Sequence, residues 1–295
     1  MKTIYAILGG TLLVLSGCGE LDDGDIRHSV NQKSQTIAAQ RGDAEPCHGQ
    51  LDHFAVQDVI ELSDPETLVD EYDAQSRINA IAKLFREAED PRGLFATVYR
   101  LITNRAIESV DAGAYEYNDW ARDLITEFAR RYLANLHAHF TDKPITGQWK
   151  KYYTLAQHCD VGRGRTLGVA IAVHLMVDLP KTLWSIGSMP EQREDFIVFG
   201  DILLEIFPDL ITDVERDYRT DVRDFLQGFF FGKWVDRFTK VGTMTEFMYQ
   251  GVRMKAWRDS QNYRRFPKAV VDLEVRSAWG AAEVLLAHLD AVVAL

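Results

Sequence analysis

His174 and Asp178 are the residues of this sequence best placed to do chemistry. They lie four positions apart in an almost entirely apolar stretch, Leu167 to Ile186. Residues four apart on a helix share one face, so the imidazole and the carboxylate lie one above the other. A buried carboxylate needs a counter-charge, a hydrogen bond or a metal ion. The pair therefore predicts either a metal site or a hydrogen-bonded polar pair inside the core.

If the pair binds a metal, a divalent ion such as zinc is the first choice, because imidazole and carboxylate are among its usual ligands. Asp119, Glu127 and Asp195 are the acidic residues that we expect to complete the ligand shell or to act as a catalytic base. Asp119 and Asp195 also have a structural interpretation. Both lie in first turns of predicted helices, where a carboxylate caps free N–H groups and complements the helix dipole.

The stretch that carries the pair is apolar on nearly all sides, which predicts a buried central helix over about 167–186. Pro180 falls inside it, two residues after Asp178. Proline lacks a backbone donor, and its ring would clash with the carbonyl of Met176. We therefore expect the helix to kink or restart beside the polar pair.

The remaining sequence follows the helical period from about residue 53 onward, and no segment alternates convincingly as a strand would. Capping-box patterns start at Ser63, Ser188 and Thr243, and each predicts a helix start. Pro208 is expected to end the helix that follows Ser188. These signals predict an all-α fold, with residues 53–295 forming a single domain of about eight to ten helices around the central helix.

Residues 1–17 read as a bacterial lipoprotein signal peptide, because a short apolar run leads into Leu15-Ser16-Gly17-Cys18. This resemblance implies cleavage before Cys18, attachment of lipid such as palmitate to that thiol, and a place in the bacterial cell envelope. Gly19 follows the cysteine, which by the same resemblance favours the outer membrane. The alternative is an ordinary secretory signal with an incidental cysteine.

Residues 18–52 are polar and lack apolar periodicity, which predicts a flexible tether. An oxidising compartment permits a disulfide, and Cys47 and Cys159 are the two cysteines that remain after Cys18. The chain has 33 Lys and Arg against 44 Asp and Glu, a formal charge of −11. So acidic a chain without a basic cluster argues against nucleic-acid binding. The partners expected are the membrane, through the lipidated Cys18, and a small-molecule or lipid substrate.

Several short motifs, taken together and in order, resemble an uncharacterised bacterial family known as domain of unknown function 5995. They span about residues 94–285, most of the mature chain. Ala170, Ala172 and Gly200 depart from the pattern of that family, which has Gly or Asn at these positions. The matching motifs are Leu94-Phe95-Ala96-Thr97-Val98-Tyr99, Glu127-Phe128-Ala129-Arg130-Arg131-Tyr132, the run from Ala170 to Leu179, Asp195-Phe196 and Arg276-Ser277-Ala278-Trp279.

A His-x3-Asp pair on a buried helix is also similar to one element of zinc-dependent phospholipases C. This likeness implies metal-assisted hydrolysis of a phosphoester or similar ester, with His174 and Asp178 as ligands. A companion His-x3-Glu is absent from the sequence, so a site of one or two metals is expected rather than three. Two further hypotheses stay open: a non-enzymatic envelope module that binds a lipid or a protein, with the pair as a structural contact, and a metal-free enzyme that uses the pair for acid–base work.

Overall fold

The structure is a computed structural model that describes residues 49–220, 222–223 and 243–293. Most of these residues lie in helices. Within these residues there are ten helices and no strand, so the all-α prediction is confirmed. Predictions on residues 1–17, Cys18 and Cys47 lie outside the described residues. The helices are α1 His53–Leu62, α2 Glu71–Glu87, α3 Leu94–Asp111, α4 Asn118–Phe140, α5 Gly147–Ala156, α6 Arg163–Ser185, α7 Arg193–Glu205, α8 Phe207–Tyr218, α9 Thr243–Arg265 and α10 Lys268–Val293.

Two of the predicted helix boundaries are wrong, and both errors involve proline. Ser63 ends α1 rather than opening a helix, and Asp64 instead caps a short 3-10 turn at Pro65–Thr67 by accepting from the backbone N–H of Glu66. Pro208 lies in the first turn of α8, whereas α7 already ends at Glu205. A first-turn proline sacrifices no hydrogen bond, because the N–H groups there have no partner within the helix.

The central helix α6 is continuous but changes its winding at the polar pair. Its first part, Arg163–Val173, is α-helical, His174–Asp178 forms a π turn, and Leu179–Ser185 returns to α-helix. The backbone N–H of Leu179 donates to the carbonyl of His174, five residues back. The interruption expected from Pro180 therefore takes the form of a π turn directly before the proline, an arrangement frequent at functional sites.

Two clusters of buried side chains form the interior, and α6 joins them. The first core surrounds Phe95, Tyr132 and Trp149 and includes Val173 and Val177 of α6. The second core surrounds Trp120, Phe196 and Trp257 and includes Leu179 and Leu183 of α6. The π turn thus lies where α6 passes from one core to the other.

Five helices pack around α6: α3, α4, α5, α9 and α10. In the part of the chain that the structure describes, α6 is also the one helix long and apolar enough to cross a bilayer, and 78% of its apolar window is buried by the rest of the fold. Helices in the core of a soluble protein have the same character. Four residues before α6, Cys159 is disulfide-bonded.

Candidate functional site

The π turn brings His174 and Asp178 into direct contact, as their spacing predicts. Nδ1 of His174 lies 3.1 Å from Oδ2 of Asp178. The same carboxylate oxygen accepts a second hydrogen bond, 2.9 Å long, from the indole Nε1 of Trp149 on α5. The side chains of His174 and Asp178 are only 4% and 6% exposed. Burial of the carboxylate is thus offset by two donors, one from its own helix and one from a neighbour.

Aromatic rings enclose the imidazole. The ring of Phe128 stacks on it face to face, with centroids 3.5 Å apart and planes 11° apart. Tyr99 and Phe95 present their edges at 4.7 Å and 5.1 Å. These rings come from α3 and α4, so three helices fix the position of His174. Such a cage is apolar and excludes water from the imidazole.

Burial has the largest effect on the pKa values of His174 and Tyr99. It lowers the pKa of His174 below its ordinary value, although the hydrogen bond that His174 donates to Asp178 and the charge of Asp178 act in the opposite direction. Burial raises the pKa of Tyr99 well above its ordinary value, and the negative charge of Asp178 adds to the effect. At neutral pH the imidazole is therefore uncharged. Two tautomers are available to it, and its hydrogen bonds select between them.

One nitrogen of the imidazole has no partner. Nε2 of His174 is buried and forms no hydrogen bond with any described residue. The hydroxyl groups of Tyr132 and Tyr153, both in the first core, share this condition. A buried polar atom without a partner costs about 1–3 kcal/mol. The unpartnered Nε2 of His174 is therefore a reason to look for a ligand there.

A cavity of about 80 Å³ lies against His174. It is bounded by α3, α4, α6, α7 and α8, and it is partly open to solvent. Seven of its lining residues are partly exposed: Ile102, Phe128, Ile171, Leu175, Leu203, Leu204 and Phe207. Apart from the imidazole and the hydroxyl of Tyr99, its lining side chains are aliphatic or aromatic.

The structure places the other three predicted site residues away from this pair. Asp119 is exposed in the first turn of α4, beside a surface depression that also contains Glu116 and Asp123. Glu127 forms an ion pair with Arg131 at 2.8 Å and accepts from the hydroxyl of Ser185 at 3.1 Å.

Asp195 is buried and accepts from two successive backbone N–H groups, those of Glu116 at 3.1 Å and Tyr117 at 2.7 Å. It thus ties the first turn of α7 to the segment that leads into α4. Asp195 therefore accepts from backbone N–H groups, as a capping carboxylate does, but these groups belong to another part of the chain and not to its own helix.

The donor set around His174 fits a hydrogen-bonded pair better than a metal centre. Zinc sites in proteins use three or four protein ligands. Among the residues that the structure describes, no three His, Cys, Asp or Glu side chains converge on one point. Nδ1 of His174 and Oδ2 of Asp178 are also engaged with each other. The metal site on His174 and Asp178 remains a prediction, and no chemical step is derived from it.

Trp149, Phe95 and Tyr99 are site residues that the sequence did not single out for this role. Phe95, Tyr99 and Phe128 do fall within the motifs that resemble the uncharacterised family, which was a usable signal. Trp149 lies at the start of a predicted helix, and nothing local distinguishes it from another core tryptophan. Its contact with Asp178 spans 29 positions of the chain.

Comparison with known proteins gives a family but no activity. No curated protein and no solved structure matches the chain, so the likeness to zinc-dependent phospholipases C gains no support and stays a prediction. The model of a family of unknown function, DUF5995, matches residues 72–291, which is most of the chain and includes the whole site around His174. The chain therefore belongs to the family of unknown function DUF5995.

Proposed function

We propose that this chain is an envelope-tethered binding module for an apolar molecule, and that the cavity beside His174 is its binding site. The observation that carries the proposal is the combination of an almost wholly apolar, partly open cavity with a buried imidazole nitrogen that has no partner. Ligand pockets typically pair an apolar lining with a few polar groups that orient the ligand.

The size of the cavity limits what enters it. Pockets for drug-sized ligands measure about 300–1,000 Å³, and an engineered cavity of about 150 Å³ binds benzene. At about 80 Å³, this cavity is about half that size, so it accommodates the end of a molecule whose remainder lies at the open side. A ligand inserted by one end, such as a lipid or another amphiphile, fits this geometry.

A metal-dependent hydrolase receives less support from the same geometry. It requires that Asp119, Glu127 or Asp195 complete the site, and each of these carboxylates lies elsewhere in the structure or is engaged with other groups. Metal content measured on protein purified without chelator tests this alternative. One metal ion per chain that is lost in Asp178→Ala would restore it.

The tether in the proposal rests on the sequence alone, on Leu15-Ser16-Gly17-Cys18 and the polar segment after it. Lipidation of Cys18 would place the cavity close to a membrane, where amphiphiles are concentrated. A Cys18→Ser variant should leave the membrane fraction and lose incorporation of labelled palmitate. Retention in the membrane fraction would contradict the anchor and leave the cavity proposal untouched.

The cavity is tested with 4-fluorotoluene, a small apolar probe, by titration followed with ¹⁹F NMR. We expect saturable binding with a Kd of about 1 mM, the affinity expected of a probe with so few atoms. Ile102→Trp should fill the cavity and abolish the binding. Val284→Trp makes the same kind of change on α10, at a side chain that is 67% exposed, and should leave binding intact. Absence of saturable binding, or equal binding in both variants, would overturn the proposal.

A further inference from the structure

The hydrogen bonds around Asp178 determine which nitrogen of His174 carries the proton. Indole Nε1 can only donate, so Trp149 occupies Oδ2 of Asp178 as a donor. An ionised carboxylate can only accept. Nδ1 of His174, at 3.1 Å from the same oxygen, must therefore donate as well. A neutral imidazole carries one N–H proton, and here that proton is on Nδ1. Nε2 therefore carries no proton and presents a lone pair.

The surroundings of Nε2 contain nothing that satisfies this lone pair. The atom is buried, and no described residue donates to it. His174 itself lines the apolar cavity together with Phe95, Tyr99 and Phe128. Neighbouring side chains cover Nε2, so a ligand atom reaches it only when they are displaced. Phe128, whose ring stacks on the imidazole, is partly exposed.

We infer that the ligand of this cavity presents a neutral hydrogen-bond donor, such as a hydroxyl or an amide N–H, to Nε2 of His174. The inference rests on the proposed function and adds the polar chemistry of the ligand to it. A carboxylate or phosphate at this point is disfavoured, because it would meet a lone pair, with the charge of Asp178 behind it. An apolar lining also offers nothing that solvates a charge.

The roles of the three polar residues are then distinct. His174 contacts the ligand, and Asp178 and Trp149 are positioning residues that hold the imidazole in one orientation and one tautomer. This differs from a metal site, in which the nitrogen and the carboxylate would both face the ion. It also differs from a satisfied structural pair, in which both ring nitrogens would have partners within the protein.

The test compares 4-fluorophenol with 4-fluorotoluene, which share a ring and differ by a hydroxyl in place of a methyl group. Because the hydroxyl is also hydrated in water, the quantity measured is the ratio of the two dissociation constants, compared between wild type and His174→Phe. We expect His174→Phe to shift the ratio about 2- to 10-fold in favour of fluorotoluene. This is the change in relative affinity that corresponds to the loss of one hydrogen bond. Ile102→Trp should abolish binding of both probes.

A second measurement needs no variant and covers the case in which His174→Phe fails to fold. The ¹⁵N resonances of the His174 ring report which nitrogen is protonated. Without ligand, Nδ1 should be protonated and Nε2 bare, and fluorophenol but not fluorotoluene should move the Nε2 resonance. A protonated Nε2 would overturn the inference, because it calls for an acceptor on the ligand.

The outcomes separate the two proposals. If both probes bind in the cavity but neither the ratio nor the Nε2 resonance responds to the hydroxyl, the donor inference fails and the binding function stands. If neither probe binds, the proposed function itself fails.

Discussion

The two cores of the molecule differ in how the polar groups beside their central aromatic rings are partnered, although the helices of the second core also carry two buried atoms without a hydrogen-bond partner among the described residues, Thr182 Oγ1 and Asp259 Oδ1. In the second core, Trp120 donates to the hydroxyl of Ser188 at 2.9 Å, and Asp195 accepts from two backbone N–H groups. The guanidinium of Arg253 donates to the carbonyl of Phe196 and lies 4.1 Å from the ring centroid of that residue. In the first core, by contrast, Nε2 of His174 and two tyrosine hydroxyl groups have no partner within the described part of the chain.

The two cores also differ in how tightly they are packed. The second core is so tight beside Arg253 that Gly200 leaves no room for a Cβ atom, whereas the first core contains the cavity beside His174. A core that is tightly filled contributes to stability and needs no ligand. A core that keeps both space and an unsatisfied acceptor retains them at a cost in stability, which is the usual condition of a binding site.

The most severe test of this contrast is Gly200→Ala. Its Cβ would overlap the guanidinium of Arg253, which is buried and hydrogen-bonded and so cannot move aside freely. We expect a loss of about 3 kcal/mol in the free energy of unfolding, from overpacking and a disturbed buried cation. Urea denaturation measures it.

Gly251→Ala on α9 is the matched control, because a Cβ there meets nothing within 4 Å. Alanine in a helix is more favourable than glycine, so this variant should gain about 0.5–1 kcal/mol. Equal behaviour of the two glycine variants would show that the second core is not tightly filled.

A smaller loss is expected for Trp149→Phe in the first core. The change removes the indole donor from Asp178 and leaves the carboxylate with His174 as its remaining side-chain donor. We expect about 2 kcal/mol of destabilisation, the range for a hydrogen bond to a charged group. Trp257→Phe in the second core makes the same change of ring against Trp120 and Phe196 and should cost less. If Trp257→Phe costs as much, the bond to Asp178 contributes little beyond packing.

The smallest expected effect is a loss of stability at acidic pH. His139 stacks on Tyr153 in the first core, with centroids 4.1 Å apart. Burial and then the charge of Arg92 lower its pKa to about 4. Between pH 6.5 and pH 4 the unfolded chain binds a proton that the native protein does not, so stability is complete above about pH 6.5 and falls as the pH is lowered. We expect less than about 1 kcal/mol per pH unit after solvent screening.

Urea denaturation at pH 7, 6 and 5 checks the sign and the source of this effect. The slope should be shallower in His139→Phe, which keeps a ring against Tyr153. His158→Phe makes the same substitution at a side chain that is 57% exposed and serves as the comparison variant. His174, whose pKa is also lowered by burial, contributes in the same direction. Stability that rises on acidification to pH 5 would contradict the assignment.

Features that depend on neighbours along the chain were predictable from the sequence. The helical content of the described residues and the start of α9 at Thr243 match the expected ones, because apolar periodicity and capping residues are local signals. The contact between His174 and Asp178 follows from their spacing in the same way.

Features that depend on which helices meet were not predictable. Trp149 lies on another helix from Asp178, and Asp195 binds backbone groups 78 and 79 positions away. A carboxylate in a first turn looks the same in sequence whether it caps its own helix, a distant segment or a ligand. The cavity is a property of five elements together, so no single pattern in the sequence encodes it.

The π turn of α6 has a consequence for how relatives of this chain can diverge. A π turn is equivalent to one residue inserted into an α-helix, and each residue of an α-helix advances the chain by about 100°. Loss of one residue between His174 and Asp178 would convert the π turn into regular α-helix, because the π turn takes up one extra residue without rotating the flanking segments. Leu179 and Leu183 would then keep their places in the second core, whereas the spacing of His174 and Asp178 would change. Single-residue insertions and deletions at this position are therefore a route by which evolution can reshape the ligand site while both cores keep their packing.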